Sequence, residues 1–337
     1  MNYKLILLIL SFYLAIFFSC KKSDIHITAG FVQKLNDVEK AFEDIDTTYE
    51  LITITNSFPV PKGKNGHLQG AQILDKNGKR YIIITGSSDV SYSIVVKLDK
   101  EKGNKIISMN HLMDSPFTHA GGIQLLGHYM GVGIEDSHLK DKSKVQIYDI
   151  SNPENPIENP VFELFRSGEY KRSTAGSIAL IEWQQHIIML VVDWDGKNLD
   201  FYICPVKAWN LGNIEFKLWK SVKTTTLDRG GWIDDEWRSY QNINLLCDKN
   251  NQLYALGLDG FDPERNTSVA DLYKLNLGNI KNDIPVSMIK VSRKEFLCST
   301  TVSFSLGAGV HIIDKNSFGI IATCSVIEDT SYFNYFK

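Results

Sequence analysis

The 337-residue chain is poor in the features that mark many common functions. It has five cysteines, no CxxC pair and no spacing typical of zinc ligands, which sets aside a zinc-bound or disulfide-built framework. A cationic excess is also missing. Thirty-six Lys and Arg stand against 39 Asp and Glu, a net charge of −3, so no basic surface is available to neutralise a phosphate backbone and nucleic acid is not an expected partner. There is no GxSxG, no HExxH, no P-loop and no GxGxxG after a strand. No long amphipathic helical pattern follows residue 45, and the uncharged stretch Leu5 to Ser19 is too short to span a bilayer comfortably. The remainder is a globular mixture, 43% apolar, 22% charged and 11% aromatic, with many Ile, Val, Tyr and Phe between turn residues.

The chain begins with an address. Lys4 precedes the apolar stretch Leu5 to Ser19, and Ser19-Cys20-Lys21-Lys22 follows. A Cys directly after an apolar segment and a small residue resembles a bacterial lipoprotein cleavage site, with Phe17 and Phe18 departing from the usual Leu and small residue. The resemblance implies a signal peptide over 1–19, palmitate or similar acyl chains on Cys20, and an exported protein held at a membrane on the periplasmic or cell-surface side, such as the outer membrane. Several acyl chains at about 0.8 kcal/mol per buried CH₂ anchor a protein stably. Residues 20–46 then form a tether with one short helix, because Phe31, Val32, Leu35, Val38 and Phe42 recur at helical spacing. The remaining cysteines, Cys204, Cys247, Cys298 and Cys324, are scattered and mostly lie in apolar runs that suit buried hydrophobes, although an exported protein allows one disulfide.

From residue 47 to 337 the sequence repeats. Five segments begin alike, at His67, His119, Thr174, Ser239 and Leu306, so the intervals run from 52 to 67 residues. Each has a small residue or Asn at the fourth place and apolar residues at the fifth, seventh and eighth: His67-Leu-Gln-Gly-Ala-Gln-Ile-Leu74 is the first, Leu306-Gly-Ala-Gly-Val-His-Ile-Ile313 the last. A second apolar run follows each, and four have a third strand, at 93–98, 145–150, 199–204 and 271–275. Units of about 40–50 residues with four strands are the signature of propeller blades, which bury both faces only by stacking around an axis. The sequence therefore predicts an all-β, five-bladed β-propeller. Its last repeat is short of strands, and the alternating segment Tyr49 to Thr55 has no blade of its own. That N-terminal strand is expected to complete the final sheet and so remove an exposed edge.

One stretch resembles a known family. Lys144-Val-Gln-Ile-Tyr-Asp-Ile-Ser-Asn-Pro-Glu-Asn-Pro156 is similar to the V-x-I-x-D-[IV]-S-[ND]-P-x-x-P phrase of extracellular LVIVD-repeat propellers. The resemblance covers one blade closely and the rest by strand rhythm. It implies an extracellular propeller and brings no catalytic residues with it.

Loops that enter first strands and leave second strands share one rim of a propeller. On this register His67 and His119 meet Glu135, Asp193 and Asp259, with Asp89, Asp136, Asp195 and Asp262 close behind in the chain. Glu135, Asp193 and Asp259 are the candidate catalytic carboxylates, since glycoside hydrolysis needs one acid and one base or nucleophile. Carboxylates with imidazoles equally suit a divalent cation, and turn-capping Asp residues suit neither. His67 and His119 are candidate ligand-binding residues. The 222–238 loop, with Arg229 and Trp232, is expected on the same rim, where Trp stacks on sugars and Arg holds anions. His311 is expected in a polar row with Gln72, Gln124 and Asn244 lining a wet central channel. The resulting expectation is a monomeric module binding a small polar ligand, such as a carbohydrate. The alternatives are a hydrolase or lyase acting on a glycan, and a protein-interaction scaffold.

Overall fold

The structure, a computed structural model, describes residues 34–61, 66–155, 157, 159–280 and 284–337. The leader, Cys20 and the first part of the tether lie outside these residues. Helix α1 is Val38–Glu43; Asp37 caps it by accepting from Lys40 N at 3.0 Å. Its Val38 and Phe42 are buried, and Phe42 stacks on Phe318 at 6.4 Å. Apart from α1, a five-residue helix α2 (Val206–Asn210) and one 3-10 turn, the described elements are strands.

Strand β1 is Glu50–Thr55. The strands after it pair antiparallel in successive groups of four. The first group is β2 (His67–Lys76), β3 (Lys79–Ser87), β4 (Ser91–Leu98) and β5 (Asn104–Met113). The second is β6 (Phe117–Leu126), β7 (Tyr129–Asp136), β8 (Lys142–Asp149) and β9 (Phe162–Ser167). The third is β10 (Ser177–Trp183), β11 (His186–Val192), β12 (Asn198–Pro205) and β13 (Lys217–Lys223). The fourth is β14 (Asn242–Cys247), β15 (Leu253–Asp262), β16 (Thr267–Asn276) and β17 (Ser287–Leu297). β18 (Val302–Ile312), β19 (Phe318–Cys324) and β20 (Thr330–Phe336) complete the chain, and β1 supplies their fourth strand, pairing with β20 from Glu50↔Tyr335 to Thr55↔Thr330. The N-terminal strand thus joins the last sheet, as the sequence predicts.

The first strands β2, β6, β10, β14 and β18 neighbour one another in cyclic order, giving curled, propeller-like sheets around a shared axis. This crowding explains the small residue at the fourth place of the repeat. At Gly70 an added Cβ would lie 2.7 Å from Ile123 N, and at Gly122 it would lie 2.4 Å from Asn242 Oδ1. Gly70 pairs with Ala308, and Gly122 with Ser177, where neighbouring first strands touch in parallel. The small residues around His119 therefore serve strand packing. Apolar clusters fill the spaces between successive groups, for example Ile178, Leu180, Met189 and Val191 of the third against Val145 and Ile147 of the second.

Two buried carboxylates on third strands gather ion pairs, Asp200 between groups and Asp271 within the fourth. Asp200 on β12 takes Arg166 from β9 at 2.9 Å, Arg172 through both Nη atoms at 2.5 and 2.6 Å, and Ser221 at 2.5 Å. Asp271 on β16 takes Arg293 at 2.6 and 2.8 Å and the Tyr240 hydroxyl at 2.5 Å. Each carboxylate is followed two residues later by a Tyr on the same face, Tyr202 and Tyr273. Cys204, Cys247, Cys298 and Cys324 are free and buried.

Candidate functional site

The chain turns at two ends of the axis, and the sequence-predicted residues divide between them. At the end where first strands begin, His67 and His119 lie side by side with ring centroids 5.6 Å apart. Gln69, itself buried, bridges them: its Nε2 donates to His67 Nε2 and, at 2.9 Å, to His119 Nε2. Gln241 reaches the same glutamine from the fourth group. His119 packs on Trp194 at 4.6 Å, and the Lys140 ammonium sits 3.8 Å from the centre of that indole.

Glu135 is fully buried behind this row. Its Oε1 accepts from Ala175 N at 2.6 Å, and its Oε2 lies 3.1 Å from His119 Nδ1 without the alignment of a hydrogen bond. Glu135 has no opening to a substrate of its own, and it acts on the mouth only through His119. Asp193 caps the turn after β11, accepting from Lys197 N at 2.7 Å, Asn198 N at 3.0 Å and Asn198 Nδ2 at 2.5 Å. Burial nonetheless pushes its carboxyl up from the usual value. Asp193 is thus committed to its turn, as strand-end acids are in all-β proteins, whereas Glu135 gives one oxygen to the backbone and turns the other to His119.

Asp259 also accepts a backbone N–H, from Gly260 to Oδ1 at 2.8 Å, but unlike them it borders an open space. It lines a cavity of about 680 Å³ between the fourth and fifth groups, in the size range of small-molecule sites. Asp262 and Glu328 line the same cavity, with Ser303, Ser305 and Tyr332. The strand explains why two acids three residues apart face one space. In a regular strand residues 259 and 262 would point to opposite sheet faces, but the register shifts between Gly260 and Asp262, a bulge that re-aims the end of the strand. Burial pushes the Asp259 carboxyl up, against the pull of Arg238, whose Nε donates to Oδ2 at 3.0 Å. Asp262 instead accepts from the backbone of Glu264 at 2.9 Å and Arg265 at 3.2 Å, and its side chain is part-exposed. The cavity and the imidazole row adjoin, since Leu68, next to His67, donates its N–H to the carbonyl of the cavity residue Ser325 at 2.7 Å.

Two expectations fail on geometry, and one holds in part. His311 lies near the far end of β18, at the opposite end of the axis, where Nδ1 meets Tyr335 Oη at 2.7 Å and Nε2 meets Asp75 Oδ2 at 2.9 Å. Of the expected polar row, Gln72, Gln124 and His311 line a cavity at this end of the axis, Asn244 does not, and the amides also tie strands together. Gln124 both donates to and accepts from Leu245 at 2.8 Å, and Asn244 donates to Ile123 O at 3.1 Å, so these amides stitch β6 to β14 across the axis. The 222–238 loop does not present its aromatics to the rim. Trp232 donates to Met288 O at 2.7 Å and packs on Tyr273 at 5.3 Å, and Ile233 N bonds Lys290 O at 3.1 Å, so the loop lies along β17. Arg229 donates to Asp235 O and stays beside Trp232. A large aromatic buries more area in such a wedge than on an open rim.

The sequence reading missed Gln69, Trp194, Arg238, Ser303, Ser305, Glu328 and Tyr332. Of these, Gln69 carried a signal, as the polar residue just before the small fourth place of the first repeat. The serines precede the fifth repeat in the alternating Val302-Ser-Phe-Ser-Leu306, a strand pattern with one polar face. Among the described residues no three His, Cys, Asp or Glu gather as a metal-binding group. No described helix is long and apolar enough to span a bilayer.

No known protein family matches the chain, and no curated protein matches it. Solved structures of similar shape include a GH43 β-xylosidase/α-arabinofuranosidase from a compost microbial metagenome in complex with xylotriose, at 9% identity and TM-score 0.45, over 79% of this chain and 90% of that one. The catalytic domain of a Coprinopsis cinerea GH62 α-L-arabinofuranosidase matches at 8% identity and TM-score 0.47, over 86% and 97%. A GH43_1 enzyme from Xanthomonas citri matches at 8% identity and TM-score 0.47, over 82% and 88%.

Proposed function

We propose that the protein is an exported, lipid-anchored, five-bladed propeller that binds a carbohydrate in the cavity bounded by Asp259 and cleaves it hydrolytically. The five groups of four strands and the cyclic order of their first strands support the blade count. The apolar leader followed by Cys20 supports export and anchoring.

The observation that carries the catalytic reading is Asp259 in company. It is a carboxyl whose proton affinity is raised by burial, in a cavity that two further carboxylates share. Glycoside hydrolysis needs that asymmetry: one protonated acid for the leaving oxygen and one ionised group for water or the anomeric carbon. Asp259 is assigned as the acid, with Arg238 positioning its carboxyl. Asp262, which accepts from the backbone N–H groups of Glu264 and Arg265 and lines the same cavity, is assigned as the base. Ser303 and Ser305 supply hydroxyls for sugar hydroxyls, and Tyr332 supplies an aromatic wall. His67 and His119 border the site rather than carry the reaction.

A second reading, a non-catalytic binding module, is favoured by the engagement of both Asp259 oxygens, by Arg238 Nε at 3.0 Å and Gly260 N at 2.8 Å, which ties the carboxyl into the cavity wall. One experiment separates the two. The protein is incubated with a panel of aryl glycosides and oligosaccharides, with binding followed by calorimetry and product by reducing-sugar release. Hydrolysis predicts release by the wild type and loss of at least about 100-fold in Asp259→Asn, with binding kept. Binding without release in the wild type leaves the second reading, and neither binding nor release sinks both.

A further inference from the structure

The described chain enters the fold at the far end of the axis, and the Asp259 cavity opens at the near end, where the first strands begin. Leu35 is fixed at the far end: its N–H donates to Cys247 O at 3.0 Å, and its carbonyl accepts from Lys249 N at 2.8 Å. Asn36 N then donates to Lys315 O at 2.6 Å. Cys247 ends β14, Lys249 lies in the turn from β14 to β15, and Lys315 lies in the turn from β18 to β19. Leu35 also lines the cavity of Gln72, Gln124 and His311, so it stands close to the axis. The chain stays at this end past α1, since Asp46 N donates to Lys337 O, just beyond β20, at 3.2 Å. The Asp259 cavity is walled instead by the end of β15, the starts of β16 and β18, the end of β19 and the start of β20, which all meet at the near end.

The length of chain before Leu35 turns this placement into an orientation. Fifteen steps separate Cys20 from Leu35, and no conformation spans more than ~3.3–3.6 Å per residue, so a group on Cys20 lies within about 50 Å of Leu35. A direct way up between the fourth and fifth groups is filled by Phe42, Phe296, Phe304 and Phe336. The way round is long. Crossing one group from first to fourth strand takes about 14 Å at ~4.8 Å per strand, and climbing the height of the 11-residue β18 takes about 33 Å at ~3.3 Å per residue. Together these use about 47 Å of a reach of about 50 Å, with no slack left to turn the near end onto a surface.

We propose that the anchored protein sets its far end against the lipid surface and opens the Asp259 cavity away from it. This rests on the Cys20 anchor proposed above. The cavity then takes carbohydrate offered from the aqueous side, and the sugar headgroups of lipids in its own membrane stand out of reach. Charge does not set the orientation, because Lys249 and Lys315 at the far end stand next to Asp248 and Asp314. The short connection does.

The test uses the full-length acylated protein in phosphatidylcholine vesicles that carry a lipid with a nitroxide on its headgroup. One dye is attached at the far end through Lys315→Cys or at the near end through Glu264→Cys; both positions are exposed, and the four cysteines of the described residues are buried. Quenching is expected to be at least about threefold stronger at position 315, which stands ~33 Å nearer the surface. Lys249→Cys gives a second far-end reading. A Gly-Ser insertion of about 20 residues after Ser23 adds up to ~70 Å of reach and is expected to bring the two ends towards equal quenching. Equal quenching with the native length, or stronger quenching at position 264, overturns the orientation and leaves the anchor standing. A ratio that the insertion does not change overturns the short connection as its cause. Acylated protein that washes off the vesicles overturns the anchor itself, and the orientation with it.

Discussion

Asp200 offers a sharp test of how neighbouring groups of strands are held together. Its side chain is 2% exposed and receives Arg166 from the second group and Arg172 from the connection between the second and third. In Asp200→Asn the charge is removed while shape is kept, leaving two guanidiniums in place, Arg166 only 9% exposed. Breaking one partner out of a buried ion pair costs about 3–5 kcal/mol. With an unfolding entropy of ~2.1 cal/mol/K per residue, a cooperative unit of about 300 residues loses ~0.6 kcal/mol per degree, so Tm falls by about 5–8 °C. Calorimetric or circular-dichroism melting at pH 7 reads this directly. The pH dependence supplies the sign. Burial alone would raise the Asp200 carboxyl, but hydrogen bonds from Arg172 and Ser221 and the charges of Arg166 and Arg172 hold it below the usual range. A lowered native value means that this stability is present above the unfolded value of about 3.9 and is lost as pH falls through the native one. The gap between wild type and variant therefore narrows as pH drops below about 4. A Tm change under about 2 °C at pH 7, or a gap that widens on acidification, would refute the clamp.

Two further substitutions probe packing at other places. An alanine at Gly309 would put its Cβ 2.0 Å from the Ala71 carbonyl, where the fifth group meets the first, so Gly309→Ala is expected to cost at least about 2–3 kcal/mol, seen as a lower urea midpoint; an unchanged midpoint contradicts that close approach. Trp237 donates to Gly196 O at 2.8 Å and packs on Tyr240 and Tyr273 at 5.2 Å, so Trp237→Ala is expected to cost about 3 kcal/mol, read by urea unfolding; a fully stable variant would place the loop elsewhere.

Period and turn chemistry made the architecture legible before the sites. The small residue at the fourth place of each repeat is a direct imprint of first strands meeting at an axis, as at Gly70 and Gly122, and the orphan strand Glu50–Thr55 finds its partner in β20. Fourth strands such as β9 and β13 were not located from sequence, because an outer strand is wetted on more of its surface and has a weak apolar pattern. The site was harder for a different reason. Register placed His67 beside His119 and put Asp259 at a strand end, but register carries no information on which acid is consumed by a turn. Asp193 and Asp259 look alike in sequence, yet one is capped by Lys197 and Asn198 while the other borders a cavity. Nor can spacing foresee the bulge that brings Asp262 round, or the wedge that draws Trp232 down onto β17.

The fifth group takes its fourth strand from the N-terminal segment, and that group walls one side of the space between Asp259 and Glu328. Thr53 and Tyr332 face each other across the β1–β20 pair. In a Thr53→Cys, Tyr332→Cys variant, mild oxidation is predicted to form the intramolecular crosslink in nearly every molecule and to raise Tm, the four native buried thiols staying reduced. Mass spectrometry showing both introduced thiols free after oxidation of the folded protein would contradict the closed ring.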